Sequence, residues 1–290
     1  MEKERKRTLH LAGLTITAHP HDTDIYEALL HKAYSIKGKA VIHGKNKGTI
    51  GQPVVEKRGK NTFVYFSIYK YYDLSKFGLW FRESTQEAVE STKENPLANI
   101  PDDLKPELTV IPAVLVMPGH HILFDSQGMG PTAAEKFFRR LLNEPPLLEQ
   151  FGPIDVTMIQ DINQLERILR MEKLTKLTIL IKRPNADDED ADEERIARRM
   201  ENMGVHRWEQ ELGGRPYRQD GITPDEELRP YMNVALENGE VKAEGYERDE
   251  KVSLSTRTAP RKRRIKVPKQ MGMADFINAV ADIWTDWRRK

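Results

Sequence analysis

The sequence predicts an α+β protein with mixed, antiparallel-rich sheets and flanking helices. Short segments of alternating apolar and polar residues predict strands, and segments with apolar residues at helical spacing predict helices. The two kinds of segment are interleaved along 290 residues without an internal repeat. A chain of this length suits one elaborate domain or two modest ones, and we favour two subdomains. We expect one over residues 1–148 and one over residues 149–290.

The first half begins with an alternating strand over residues 9–18. A helix over residues 22–34 follows, which Asp22 or Thr23 can cap. The further expected elements are short strands over 41–43 and 49–55, an aromatic-rich strand over 62–71, a polar excursion over 84–105, a hairpin of 108–117 with 120–124, and a helix from Pro131 to residue 142.

The second half restarts after Pro145-Pro146 with a strand, a helix and a strand over 154–160, 162–170 and 174–182. These form a compact βαβ unit, although so short a connection permits other pairings. Further on we expect a helix over 187–203, a strand over 205–212, a helix from Thr223-Pro224 to residue 238, strands over 240–246 and 251–256, and an amphipathic helix over 273–287.

The terminal helix carries an apolar stripe that ends in Trp284 and Trp287. Such a stripe must be buried, either on its own domain or against a partner subunit. A homodimer is therefore one expectation from this helix.

Composition excludes several classes of protein. With no cysteine, the chain has no disulfides, no thiolate zinc site and no cysteine nucleophile. The longest apolar run, over 110–117, is far shorter than a bilayer span, and the basic N-terminus lacks the apolar stretch of a signal peptide. We expect a soluble cytoplasmic protein that makes no membrane contact.

Catalytic motifs are weak in this sequence. It has no G-x-S-x-G and no phosphate-loop or dinucleotide fingerprint. His19, His21 and Asp22 lie together, but their spacing differs from that of a metallo-hydrolase motif, and a helix cap with a shaped turn explains them. His120 and His121, with Asp125 nearby, are adjacent strand residues that point to opposite faces, so they should not chelate one metal. We expect no catalytic residue, no cofactor and no metal site.

Charge placement is more informative than net charge. The chain has 46 Lys+Arg and 45 Asp+Glu, yet two segments are strongly basic. Such segments favour a polyanion partner that is bound through its phosphates without base register. The predicted DNA-binding residues are Lys37, Lys39, Lys45, Lys47, Lys57, Arg58, Lys60, Arg261, Lys262, Arg263 and Arg264.

Four stretches of sequence carry a family resemblance. They are AHPHDTDIYEALLHKAY, IPAVLVMPGHHILFDSQGMGPTAAEKFF, LTKLTILIKRPNADD and DGITPDEELRPYMNVALENGEVKAEG. Together they resemble a bacterial family known only as a domain of unknown function, over nearly the whole chain. The turn Gly130-Pro131-Thr132 between a strand and a helix also resembles the phage exclusion protein RexA. That resemblance implies a dimeric, non-sequence-specific DNA-binding protein with a fold like that of the recombination regulator RdgC.

The sequence thus predicts a non-enzymatic protein that binds duplex DNA through its phosphates, as a homodimer, in defence against phage. Three alternatives stay open. One is a metal-dependent nuclease that uses His19, His21 and Asp22. Another is a protein-interaction module of a defence system that uses the Trp284/Trp287 helix. RNA is also possible in place of DNA, since phosphate contacts do not distinguish the two.

Overall fold

A computed structural model describes residues 6–19, 22–74, 77–97, 100–101, 103–185, 191–214 and 221–288. The helices in these residues are α1 (Thr23–Ser35), α2 (Pro131–Leu141), α3 (Pro145–Phe151), α4 (Ile162–Leu169), α5 (Ala191–Asn202), α6 (Leu228–Asn238) and α7 (Met273–Arg288). The strands are β1 (Lys6–Ala18), β2 (Ala40–His43), β3 (Asn46–Ile50), β4 (Val54–Arg58), β5 (Asn61–Tyr72), β6 (Gly78–Arg82), β7 (Glu87–Ser91), β8 (Thr109–Met117), β9 (His121–Asp125), β10 (Ile154–Met158), β11 (Lys173–Lys182), β12 (Arg207–Gly213), β13 (Gly239–Glu247), β14 (Glu250–Ser255) and β15 (Lys262–Pro268).

A nine-stranded sheet forms the centre of the molecule, and its strand pairs are antiparallel. Its order is β10-β1-β9-β8-β5-β3-β2, with β15 also on β1 and β4 also on β5. The predicted α+β class is confirmed. The boundary at residues 148/149 stays a prediction, and strand pairing crosses it, because β10 and β15 both pair with β1.

Both faces of the large sheet are covered, and the side-chain period of two decides which residues face which layer. Leu14 and Ile16 of β1 lie in the core beneath α1 and α2, whereas Leu9 and Leu11 lie in the core beneath α7. The stripe of α7 is therefore buried on its own chain. Trp284 is 3% exposed and Trp287 is 2% exposed.

Gly13 lets α7 approach β1 closely. A Cβ atom built on Gly13 would lie 2.8 Å from Trp287 Cζ2 and 2.8 Å from Ile159 Cδ1. The indole ring is rigid and buried, so it has little room to move. Glycine at this position therefore permits the packing of the terminal helix.

We predict that Gly13→Ala lowers the free energy of unfolding by about 1–3 kcal/mol, because the methyl group overpacks the site. Urea unfolding followed by circular dichroism measures the change. Gly130→Ala is the control, since a Cβ there meets nothing within 4 Å. Equal stability of the Gly13 variant and the control would contradict this packing account.

A second sheet of order β12-β11-β13-β14 is built from the second half of the chain. Leu177, Ile179 and Ile181 of β11 pack against Val234 and other apolar residues of the helical layer of α4, α5 and α6. The expected βαβ unit is wrong, because β10 belongs to the large sheet and β11 to this one. Strand β10 instead pairs with β1, and β11 lies between β12 and β13, so the two strands are not neighbours in one sheet.

Gln160 joins the two sheets. Its side-chain nitrogen donates a hydrogen bond to the Gly239 carbonyl at 2.7 Å, and the Thr256 hydroxyl donates to its side-chain oxygen. Its backbone N–H donates to the Leu236 carbonyl at 2.9 Å. The side chain is 2% exposed, so these bonds satisfy a polar group that would be costly to bury alone.

A second link between the sheets is ionic. Asp155 of β10 pairs with Lys182 of β11, and its Oδ2 lies 2.7 Å from His206 Nε2. Burial raises the pKa of the Asp155 carboxyl, but the hydrogen bonds and charges of Lys182 and His206 outweigh burial and hold that pKa below its ordinary value. The ionised carboxylate therefore stabilises the junction.

We predict that Asp155→Asn lowers the free energy of unfolding at pH 7 by about 1.5–3 kcal/mol, the range for hydrogen bonds to a charged group. Because the folded pKa lies below the ordinary value of 3.8, the contribution is fully present above that pH. It is lost as the pH falls through the folded value.

Urea unfolding at a series of pH values should therefore show the gap between wild type and Asp155→Asn closing on acidification. Asp282→Asn is the control, because Asp282 is exposed and forms no ion pair within the described chain. Its effect should stay within about 0.5 kcal/mol. A gap that is independent of pH would rule out the ionic account.

Two local expectations need correction, and a third is tested only in part. The excursion over residues 84–105 contains β7, which pairs with β6 in a separate hairpin. Its glutamates mask the alternation that marks a strand. Helix α6 begins at Leu228 and not at Thr223, and the Asp225 carboxylate accepts the Leu228 N–H. The predicted helix over 187–203 is described from Ala191 onward, and residues 187–190 lie outside the described chain.

Two other expectations are answered by the described residues. The Asp22 side chain accepts the Asp24 N–H and caps α1, as expected. Within the described chain, no helix combines the length and the apolar character that a membrane span requires.

Candidate nucleic-acid interface

Within the described residues, a cluster of unpaired positive charge lies on the ladder of β1 and β15. These strands are antiparallel, with Thr8 opposite Lys266 and His10 opposite Arg264. Ile265 and Val267 are buried beneath α7. Alternation therefore directs the intervening side chains to the other face of the ladder. We call this set the basic face: Lys6, Thr8, His10, Lys262, Arg264 and Lys266.

The basic face is open to solvent and is not neutralised by the chain. Lys6, Lys262, Arg264 and Lys266 are exposed, and His10 is half-buried. In the described part of the protein none of these four cations forms an ion pair. Asp275 and Asp282 border a groove beside β15, but they belong to α7 on the opposite side of the ladder. The four charges are therefore available to an external anion.

The second sheet differs, because three of its surface lysines have acidic partners. Lys176 lies 2.9 Å from Glu211, Lys242 lies 2.8 Å from Glu240, and Lys251 lies 3.2 Å from Glu244. These pairs form a mixed-charge face, which attracts a polyanion weakly. The cations of the basic face therefore differ from these surface lysines, because they have no acidic partner in the described chain.

The predicted residues of the first half do not form one patch. Lys45 lies in the β2–β3 turn, next to the Tyr72 end of β5, whereas Lys57, Arg58 and Lys60 flank the β4–β5 turn at the Asn61 end. Along twelve residues of β5, these ends lie about 36 Å apart, at about 3.3 Å per residue. Lys45 and Lys60 therefore lie at the tips of two hairpins, and these tips are at opposite ends of the sheet.

Several predicted cations already have partners. Lys47 Nζ lies 2.7 Å from Asp73 Oδ2, and Arg58 pairs with Glu56 and donates to Asn278 of α7 at 2.6 Å. Lys37 and Lys39 follow the end of α1 and are exposed, with the Lys39 N–H bound to the Glu144 carboxylate.

The run from Arg261 to Arg264 divides between different surroundings. The Arg261 guanidinium lies 5.3 Å from the Trp287 ring centre and donates to the Asp286 carbonyl. Arg261 is thus half-buried against α7, and this burial lowers the pKa of its guanidinium. Arg263 is exposed on the α7 side of the ladder, while Lys262 and Arg264 lie on the basic face.

Four members of the basic face lie outside the set predicted from the sequence, namely Lys6, Thr8, His10 and Lys266. Leu9 and Leu11 are buried on one face of the strand, so the residues at alternate positions lie on the other face. This alternation could have grouped Lys6 with His10 from the sequence. Their proximity to Lys266 depends on the pairing of β1 with β15, which joins residues more than 250 positions apart.

The first histidine cluster begins with His19, directly after the end of β1. His19 Nε2 lies 3.1 Å from the Arg183 carbonyl, and its ring lies edge-on to that of His206. Burial holds the pKa of His19 below its ordinary value. His21 lies outside the described residues, and Asp22 is engaged as a helix cap. Within the described chain, no group of three or more His, Asp or Glu side chains is placed to hold a metal.

The second pair of histidines is buried, with one imidazole on each side of the sheet. His120 stacks on Tyr26 with ring centres 4.0 Å apart, whereas His121 lies edge-on to Trp284 of α7 at 5.6 Å. The expectation that these neighbours face opposite ways is confirmed. His121 Nδ1 also lies 3.3 Å from the Thr15 hydroxyl, within the core.

Comparison with known proteins gives a family and little else. A solved PDZ domain protein from Parabacteroides distasonis aligns over 92% of this chain and 75% of its own, with 9% identity and a TM-score of 0.10. So low a score carries no structural argument. No curated protein matches the sequence. The model of one family, described as a domain of unknown function (DUF4747), matches residues 7–282, so the chain belongs to that family.

Proposed function

We propose that this protein binds duplex DNA without sequence specificity, through phosphate contacts at the basic face. The observation that carries the proposal is the cluster of unpaired cations on the β1–β15 ladder. Lys262, Arg264 and Lys266 project from alternate positions of one strand, about 6.8 Å apart. This repeat corresponds to two steps of about 3.4 Å along a duplex axis.

Flexible lysine and arginine side chains on an exposed strand suit phosphates better than base edges. Among the described residues the basic face is formed by two strands, and it presents no helix that would enter a major groove. Binding would therefore release counterions and depend steeply on salt, with little discrimination among sequences. Lysine-rich edge strands also resist pairing with other chains. Protection of the β15 edge against such pairing is compatible with DNA binding by the same lysines.

The biological setting belongs to the same proposal. The resemblance of the Gly130-Pro131-Thr132 turn to RexA supports a cytoplasmic protein of phage defence that acts as a homodimer. The Trp284/Trp287 stripe gives the dimer no support, because both indoles are buried on their own chain. The dimer thus rests on the resemblance alone.

We predict that the triple variant Lys262→Gln, Arg264→Gln, Lys266→Gln binds duplex DNA at least tenfold more weakly at about 100 mM salt. Three lost phosphate contacts should flatten the slope of log affinity against log salt by about 2.7. Fluorescence anisotropy with a labelled duplex of mixed sequence, measured across a salt series, gives both quantities. Duplex RNA and single strands in the same assay identify the preferred polyanion.

The matched control is Lys37→Gln, Lys39→Gln, Lys45→Gln, which removes the same charge from exposed predicted residues elsewhere. It should leave the slope nearly unchanged. An equal loss in both variants would remove the basic face as the site. No binding of any nucleic acid at low salt would overturn the proposed function, and cleavage with Mg²⁺ or Mn²⁺ would revive the nuclease alternative.

A further inference from the structure

A cleft of about 790 Å³ opens at the edge of the second sheet. It lies between β12, α5 and the segment that leads into α6. On the side of β12 and the helices its lining includes Arg195, Arg199, Trp208, Gln210, Leu212 and Tyr231. Its volume falls within the range of about 300–1,000 Å³ that is usual for small-molecule sites.

The cleft exists because the helical layer does not close over the edge strand. Residues Trp208, Gln210 and Leu212 alternate on the inner face of β12, opposite Ile181, Ile179 and Leu177 of β11. The three β11 residues are fully buried, but the three β12 residues are only half-buried. The inner face of β12 is therefore accessible from the cleft.

An aromatic and cationic surface lines one side of the cleft. The Trp208 and Tyr231 rings lie 4.9 Å apart at an angle of 35°. The guanidinium groups of Arg195 and Arg199 each lie 5.9 Å from the Tyr231 ring centre, and Arg199 donates to the Tyr231 hydroxyl at 2.5 Å. Tyr231 is 8% exposed, so it holds Arg199 from a fixed position.

Gln210 supplies a polar group where the strand pattern calls for an apolar one. Its side chain forms no hydrogen bond within the described chain, although it sits between Trp208 and Leu212 on the inner face. A primary amide offers both a donor and an acceptor. Across the cleft, Glu226 and Glu227 are exposed carboxylates that can accept hydrogen bonds from hydroxyl groups.

We propose that this cleft binds a nucleotide. Arg195 and Arg199 would hold the phosphate, Trp208 would stack on the base, Gln210 would bind its polar edge, and Glu226 or Glu227 would accept the ribose hydroxyls. The combination of arginine, stacking aromatic ring, free amide and carboxylate matches all parts of a nucleotide, and neither inorganic phosphate nor a nucleoside satisfies the whole set. This inference does not depend on the proposed DNA-binding function.

The test is isothermal titration calorimetry on the full chain with AMP and GMP as probes, beside adenosine, inorganic phosphate and the oligonucleotide dT8. We expect a mononucleotide to bind at least about tenfold more tightly than adenosine or phosphate. Trp208→Leu and Arg199→Gln should each weaken it about tenfold, whereas Trp208→Phe should retain most affinity. Binding of dT8 that depends on Trp208 and Arg199 would support the same site with a nucleic-acid strand as the source of the nucleotide.

Two controls make the result decisive. Arg167→Gln removes an exposed arginine from α4, outside the cleft, and should leave mononucleotide affinity unchanged. The triple basic-face variant should also bind the mononucleotide normally, so the two proposals can fail separately. Arg199 is exposed, which allows its variant to fold even if a Trp208 variant does not. Absence of binding by AMP, GMP and dT8 alike, or affinity that is unaffected by Arg199→Gln, would overturn the proposal.

Discussion

Strand β1 is the constraint on which the rest of the large sheet depends. It pairs with β9 along one edge, while β15 and β10 share its other edge end to end. Its residues are buried on both faces from Leu11 to Ala18. A shift in register by one position would therefore move each of these side chains into the core on the opposite face. Near its start, β1 also has side chains that are exposed to solvent, such as those of Lys6 and Thr8. There the strand can carry charge, and the basic face begins at that point.

The distribution of charge follows from this architecture more than from composition. On the second sheet one face is solvated, and cross-strand neighbours such as Lys176 and Glu211 neutralise each other. On the β1–β15 ladder, acidic residues are absent from the described strand positions, so like charges collect without compensation. Collected charge of this kind costs stability through self-repulsion. A polyanion partner would relieve that cost.

Local elements were largely predictable from the sequence, whereas their assembly was not. The aromatic-rich strand over 62–71 and the helix over 273–287 carry strong periodic signals, and the structure contains both as β5 and α7. The assignment of β10 and β11 to different sheets depends on long-range contacts, including the bonds of Gln160, that no local pattern encodes. The same limit applies to the basic face. Its cations are recognisable as charge, but their common face depends on a pairing between distant segments.

The pairing of β15 with β1 also has a consequence for biosynthesis. A chain that emerges from the ribosome presents β1 first, but the partner strand and α7 arrive only after residue 261. Until then Leu9 and Leu11 have no covering layer, and the edge of β1 is open along its first half. Contacts so distant in sequence form slowly. Until they form, exposed apolar strand edges favour aggregation. The nascent protein should therefore need protection from the time β1 emerges until β15 and α7 have been made.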